Sequence, residues 1–573
     1  MRAPPCSPEV ANQSEAMSVS EGRKGGCKLI LHQNKEKIMS DAHEPLPPVP
    51  HTYPEGCFFK SLSDIEGKKV VVMGLGLNGG GEASVRFLLN HGAYVIATDM
   101  KSESDLQTTV DSLNNDSSLD KSRLTYRLGE HRIEDFEEAD CVIKNPGVKY
   151  DGNKYLAAAK AIETDISLFL AFSKAPIIAV TGSKGKSSTV SAIYYGLKQS
   201  GFSAFLGGNI TVSPLTFLDK TDSTTPVVLE LSSWQLADLR GRKLLKPKVS
   251  IITKIIPDHQ NFYHSMLAYV NDKKLIYADQ NKKDFAIFDF DSDPAADGGT
   301  LIDNWGDIFA KECKATILRY SKKALPEGTL GVWQDKKGVG LARLSTKILD
   351  TLPQDYEKTT ETILKDLIVP GKHMRANVLN AALVLRIMGV SPERIIEVLG
   401  RWNGIEHRLE FFHECKIGKT TYRFYNDSAA TVPEAAAEAT QAFGKPVIFL
   451  TGGTDKGLDL SPIANGICDN GKNIVPKAVY LLAGSATDKM IGDFNAKKIA
   501  YKGPFNSLEE LLSALKADLD ASAPLSDQKL GMVSKAEPQI VVFSPGATSF
   551  GMFKNEFDRG NQFKACVKKI LEN

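Results

Sequence analysis

The sequence predicts an α/β protein of three domains, each organised around a parallel sheet, and three observations carry that reading. Lys69-Val70-Val71-Val72-Met73 is a short apolar strand that runs straight into a glycine turn, Gly74 to Gly81. Pro176 to Val180 is a second such strand, followed by Thr181-Gly182-Ser183-Lys184-Gly185-Lys186-Ser187-Ser188-Thr189 and then by Val190, Ile193, Tyr194 and Leu197 at helical spacing. In the last third of the chain, apolar runs at 446–451, 478–483 and 539–543 alternate with helical patterns, and polar loops follow the first and last of them. A chain of 573 residues is too long for one core, so several domains are required.

Residues 1–56 are polar, aperiodic and proline-rich toward their end, the composition of a disordered tail. Met17 and Met39 leave open a later translation start. Residues 57–172 read as a Rossmann-like domain: strand, glycine turn, a helix with Val85, Leu88 and Leu89 on one face, then a strand from Tyr94 ending at Asp99. A further strand, Cys141 to Ile143, leads into the turn Asn145-Pro146-Gly147.

Residues 173–403 read as a central P-loop ATPase-type domain on a largely parallel sheet, with further strands at 227–231, 248–256 and 285–288. The stretch 291–345 reads as an insertion of short strands. Residues 404–573 form a Rossmann-like C-terminal domain, with a polar surface loop near 520–537 and a closing helix from about 551 to 571.

Composition narrows the function classes. The formal net charge is +1 with 24% charged residues, which gives no support for nucleic acid or an anionic membrane as partner. No apolar run is long enough to span a bilayer, and the N-terminus lacks a secretory apolar core. The eight cysteines are scattered without a metal-ligand spacing, which fits a reducing cytoplasm.

The loop at 181–189 is where chemistry begins. Gly182 and Gly185 let backbone amides approach phosphate oxygens, Lys186 supplies a cation, and the Ser187 hydroxyl suits magnesium. Val180 stands where the usual first glycine falls, so the loop is a compressed variant and points to ATP. Glu230 ends the strand Val227 to Leu231, where it is either an oxygen ligand for magnesium or a strand end turning into solvent. His259, after Asp258, and Lys273, on a predicted helix, would not stand out without the phosphate loop. Asn377 lies on the helix opened by Gly371-Lys372-His373, and Arg408 at the proposed domain boundary either reaches a phosphoryl group or makes an interdomain salt bridge. Asn426-Asp427-Ser428, Gly452 to Gly457 and Ser544 to Ser549 all sit at strand carboxyl ends, as ligand loops or plain turns.

The ordered set Thr181 to Thr189, Gly208-Asn209-Ile210, Leu229 to Ser233, Asp258-His259, Gly371-Lys372-His373 and His407-Arg408-Leu409-Glu410 resembles the Mur ligases, over residues 67 to 571. The segment Ser544 to Asn555, continuing to Arg559-Gly560, resembles the D-glutamate-adding branch, as do Asn426-Asp427-Ser428 and the loop from Gly452 to Asp459. The resemblance implies an ATP-dependent ligase that joins D-glutamate to UDP-N-acetylmuramoyl-L-alanine through an acyl phosphate, acting as a cytoplasmic monomer. It implies that Gly182, Ser183, Lys184, Gly185, Lys186, Ser187 and Ser188 hold the ATP phosphates, with Asn377, Arg408 and Asp427 on the nucleotide. Two magnesium ions would be held by Ser187, Glu230, His259 and Lys273, the last as a carbamate. Leu77, Asn78, Asp99, Gly147 and Asn209 would bind the uridine-diphosphate substrate. Thr431, Lys456, Ser549 and Phe550 would form the D-glutamate pocket.

Four positions depart from the family pattern: Lys184, Met374 and Asp289 where asparagine is usual, and Ala429 where lysine is common. Two other readings remain open, an L-alanine-adding ligase of the same family and a nucleotide-binding Rossmann protein that is no ligase.

Overall fold

A computed structural model describes residues 52–210, 212–291, 304–347, 349–350, 352, 360–522 and 537–571. The tail expected over 1–56 lies outside these residues except for 52–56, and those differ from the expectation. Tyr53 is buried, its amide donates to the Arg240 carbonyl at 3.0 Å, and its hydroxyl donates to Asp238 Oδ1 at 3.1 Å. The Arg242 guanidinium lies 4.2 Å from the centre of its ring. One aromatic side chain in a proline-rich stretch is enough to anchor the backbone, and no periodicity announces it.

The first sheet holds β1 (Lys69–Met73), β2 (Tyr94–Asp99), β3 (Leu124–Leu128), β4 (Cys141–Lys144) and β5 (Ile162–Glu163), all parallel, in the order β3-β2-β1-β4-β5. The order reverses between β1 and β4, which opens a crevice at their carboxyl ends. β1 is apolar on successive residues because both faces of this sheet are covered.

The second sheet holds β6 (Ile177–Thr181), β7 (Phe205–Gly208), β8 (Val227–Glu230), β9 (Val249–Ile252), β10 (Phe285–Asp289), β11 (Thr316–Ser321), β12 (Gly331–Gln334), β13 (Gly340–Arg343) and β14 (Glu361–Leu364). Its order is β14-β13-β12-β11-β10-β9-β6-β8-β7, parallel from β7 to β12 and antiparallel over the last two pairings. The region read as an insertion of short strands is therefore largely the sheet's own continuation: β11 pairs in parallel register with β10, Phe285 opposite Thr316. Residues 292–303 lie outside the described set. The polar, glycine-rich composition there hid strands whose apolar partners are supplied by the neighbouring β10 and by the helix Lys372–Ile387.

The third sheet holds β15 (Glu410–Ile417), β16 (Thr420–Asn426), β17 (Ile448–Gly452), β18 (Ala478–Leu482), β19 (Lys502–Phe505) and β20 (Gln539–Phe543), in the order β15-β16-β20-β17-β18-β19. Only β15 runs antiparallel to its neighbour. The closing helix is Glu556–Leu571, shorter than expected because Ser549 to Asn555 stays in the loop. The expected surface loop near 520–537 falls mostly outside the described residues.

Each sheet carries an apolar cluster on both faces, and one cluster runs continuously from the first sheet through the helix Asp165–Phe172 to the second. At about 1.5–3 kcal/mol for each fully buried Val, Leu or Ile, these layers set the strand ends rigidly enough to hold functional loops.

Candidate active site

The phosphate loop links β6 to the helix Lys186–Gln199. Gly182 and Gly185 have φ of 143° and 95°, which L side chains rarely adopt. A Cβ on Gly182 would lie 1.9 Å from Thr253 Oγ1, and one on Gly185 would lie 2.5 Å from Asn377 Oδ1. Asn377 therefore rests directly on the loop.

Ser183 shapes the loop: its hydroxyl donates to the Ile256 carbonyl at 2.8 Å and its amide donates to the Lys254 carbonyl at 2.9 Å. The Lys184 amide also turns to Lys254, and its ammonium reaches out 3.7 Å from Asp258. The amides of Lys186, Ser187 and Ser188 open the helix with no intrahelical carbonyl to bind, so they remain for phosphate. Lys186 Nζ curls over its own loop, 3.1 Å from the Gly182 carbonyl.

Lys273, on the helix Met266–Lys274, comes from 91 residues away to donate to the same Gly182 carbonyl at 3.0 Å. It is 2% exposed, and burial together with the Lys186 charge pulls its pKa down to about 7. Desolvation lowers Lys186 as well. Two lysines thus share one backbone carbonyl, with the Glu230 and Asp258 charges nearby.

Glu230 ends β8 beside Val180 and is 1% exposed. Its Oε1 accepts from Asn209 Nδ2 at 2.9 Å, while Oε2 is buried without a hydrogen-bond partner. An orphaned carboxylate oxygen beside a phosphate loop is a fit for a hard cation, and its burial is at odds with a strand end turning into solvent. His259 has φ of 52°, is exposed, and sets its ring at a tilt 5.1 Å from Trp234 and 6.1 Å from Tyr269. The Tyr269 ring in turn lies 4.5 Å from Lys273 Nζ, so His259 belongs to the same cluster. Among the described residues no three His, Cys, Asp or Glu side chains form a ready metal site.

A cleft of about 270 Å³ opens between the carboxyl edge of the first sheet and the β7–β8 end of the second. Asn78, Gly147 and Asn209 line it, with Lys144, Asp165 and Gln235. Leu77 stands on the surface, 52% exposed. Asp99 sits behind the turn, its Oδ2 accepting from the Gly76 amide at 2.9 Å. Lys144 was not expected. It ends β4, is buried, and pairs with Asp238 at 2.9 Å, which ties the first sheet to the segment that Tyr53 also grips. The polar residue before Asn145-Pro146-Gly147 was the available signal.

On the third sheet, Asp427 is buried; its Oδ1 accepts from the Leu409 amide at 3.1 Å and its Oδ2 from the Ser544 hydroxyl at 2.6 Å. Burial pushes its pKa up to about 7. Arg408 is exposed between His407 and Leu409, whose φ values of 63° and 45° mark a sharp, strained corner. Lys456 Nζ donates to Thr431 Oγ1 at 3.4 Å, and the Thr454 hydroxyl donates to the Phe550 carbonyl. Ser549 is buried, whereas the Phe550 ring is 65% exposed. The four residues expected to form an acceptor pocket thus share one edge. Arg559, which none of the expected roles includes, lies buried beneath them.

A family model described as "Mur ligase middle domain" matches residues 180–385, and one described as "Mur ligase MurD-like, N-terminal domain" matches residues 68–167. A protein of Treponema pallidum named UDP-N-acetylmuramoylalanine--D-glutamate ligase is 38% identical over 89% of this chain and 99% of its own length. The chain belongs to the Mur ligase family. A Borreliella afzelii relative of the same name is 37% identical over the same shares of both chains. A solved Mur ligase, UDP-N-acetylmuramate-alanine ligase from Thermotoga maritima, is 18% identical, covers 88% of this chain and 99% of its own, and has a TM-score of 0.47. The two family models fall on the first and second sheets, the parts that hold the cleft and the phosphate loop.

Proposed function

We propose that this Mur ligase consumes ATP to join D-glutamate to UDP-N-acetylmuramoyl-L-alanine, for peptidoglycan synthesis. The observation that carries the reading is the phosphate loop flanked by the orphaned Glu230 oxygen and the buried Lys273. A carboxylate is a poor electrophile, and phosphorylation by ATP makes it an acyl phosphate that an amine can attack. The amides of Lys186 to Ser188 and the Lys186 ammonium stabilise charge on the phosphoryl oxygens, and Arg408 adds a second cation from the third sheet. Magnesium, when bound, neutralises phosphate charge. Ser187 and Glu230 would hold one ion, and His259 with Lys273 another.

Lys273 fits that role as a carbamate. Its amine is buried with its pKa lowered to about 7, so a sizeable neutral fraction exists near neutral pH, as carbon dioxide capture requires, and the product is an oxygen ligand of the kind magnesium prefers. Asn78, Gly147 and Asn209 would take the uridine-diphosphate substrate across the cleft, with Asp99 shaping the turn and Leu77 at its rim. Thr431, Lys456, Ser549 and Phe550 would take D-glutamate, Lys456 pairing with its side-chain carboxylate. We read the enzyme as a monomer. No helix among the described residues is long and apolar enough to cross a membrane, and we place the enzyme in the cytoplasm with its nucleotide substrates.

Phosphate release with ATP and UDP-N-acetylmuramoyl-L-alanine, scanned over amino acids, tests the reading. D-Glutamate alone should drive turnover. Turnover with L-alanine and UDP-N-acetylmuramate, or tight NAD binding without ATP hydrolysis, would overturn it.

A further inference from the structure

Arg559 lies on the closing helix and has no exposure to solvent. Its Nε donates to the Ser428 hydroxyl at 3.0 Å, Nη1 to the Ala547 carbonyl at 3.0 Å and Nη2 to the Ser428 carbonyl at 2.8 Å. The Ser428 hydroxyl donates onward to the Glu556 carbonyl at 2.7 Å. A Cβ on Gly453 would stand 3.5 Å from Nη1. One guanidinium therefore bonds to two strand-end loops of the third sheet, the ones after β16 and β20, and lies close beside Gly453 in the one after β17.

Every hydrogen bond it makes goes to a neutral oxygen. Burial pulls its pKa down to about 10, and Glu556 is the charge that opposes the shift. A buried cation is costly unless an anion compensates it, and here no carboxylate hydrogen-bonds to it. The missing anion is explained if it arrives with a ligand.

We infer that Arg559 is a positioning residue for the acceptor pocket, fixing its loops while its uncompensated charge draws the acceptor's carboxylates toward Lys456 and Ser549. This rests on the reading of that edge as the D-glutamate pocket. A purely structural arginine would need only its hydrogen bonds, whereas this role needs the charge as well.

Arg559→Gln and Arg559→Lys separate the two. The glutamine variant keeps a donor and loses the charge, so the KM for D-glutamate should rise about tenfold while the KM for ATP stays within about twofold. The lysine variant keeps the charge near neutral pH and should stay within about threefold of the wild type. Its buried ammonium loses its proton more readily than a guanidinium, so above about pH 8 its KM for D-glutamate should climb relative to the wild type. Equal losses in both variants, or parallel rises in the KM for ATP, would overturn the inference. Should the glutamine variant fail to fold, the lysine variant's pH profile decides alone, and a profile parallel to the wild type counts against it. If wild-type enzyme consumes no ATP with D-glutamate, the functional reading falls and this inference with it. If it does and the variants behave alike, only the inference falls.

Discussion

The phosphate loop and the acceptor edge are built alike, as polar loops at the carboxyl ends of parallel strands, yet they handle charge in opposite ways. At the phosphate loop the lysines are withdrawn from solvent: Lys273 is 2% exposed and the half-buried Lys186 folds over its own loop's carbonyls. At the third sheet's loop edge Lys456 is exposed and reaches Thr431, while the Arg559 guanidinium lies buried, bonded to the loops after β16 and β20. Phosphoryl transfer gains from charges held in a dry, fixed frame, where they act strongly without reorganisation. Capture of a small amino acid from solution gains from an accessible cation that can meet it.

The largest effect should come from the buried side of this comparison. Lys273→Ala should lower kcat about a thousandfold, by removal of a group that acts on transition-state charge. Acetate or formate should restore part of the activity and alkylamines none, because a carboxylate replaces a carbamate and an amine replaces an ammonium. Recovery with amines alone would mean that Lys273 acts as a plain cation.

Next is the exposed side. Lys456→Ala should raise the KM for D-glutamate about tenfold to a hundredfold, the worth of a charge-assisted hydrogen bond of about 1.5–3 kcal/mol. The KM for ATP should not follow. Equal shifts in both constants would remove Lys456 from the acceptor pocket and erase the contrast.

Asp427, directly after β16, should give a smaller, pH-dependent effect. Its pKa is raised from the ordinary 3.8 to about 7 by burial, so the folded protein holds a proton that the unfolded chain releases. Its ionisation therefore takes away stability as pH rises from about 4 to about 7, and below that window the contribution is constant. Asp427→Asn should flatten the fall in Tm over this range. An unchanged slope would show that Asp427 is ionised throughout.

The smallest effect concerns the chain's start. Protein beginning at Met39 should keep turnover and Tm, because Tyr53 and its contacts remain. Protein beginning at Phe58 should melt lower, since Asp238 then loses the Tyr53 hydroxyl and the Arg242 guanidinium loses the ring above it. Equal melting of the two would make the Tyr53 packing incidental.

Local pattern in the sequence determined a good deal about this protein. Apolar runs such as Val70-Val71-Val72 and Ile177-Ile178-Ala179-Val180 announce strands buried on both faces, and the glycines at 182 and 185 announce a loop that side chains would block. Those signals lie within a dozen residues of one another, so periodicity and residue type suffice to read them. The antiparallel β15 was missed, and β11 to β13 read as an inserted set of short strands and not as part of the sheet, because their polar residues mask the alternation and their apolar cover comes from elsewhere in the chain.

Only the tertiary structure decided which distant groups meet. Lys273 reaches a carbonyl 91 residues away, Asn377 leans on Gly185, Lys144 pairs with Asp238, and Arg559 joins the loops after β16 and β20. Each juxtaposition follows from strand order, β6 between β8 and β9, or β20 between β16 and β17. A strand's apolar pattern records that it is buried and says nothing of which strand lies beside it. The partners of a buried charge are therefore fixed by packing, while its residue type is all that the sequence displays.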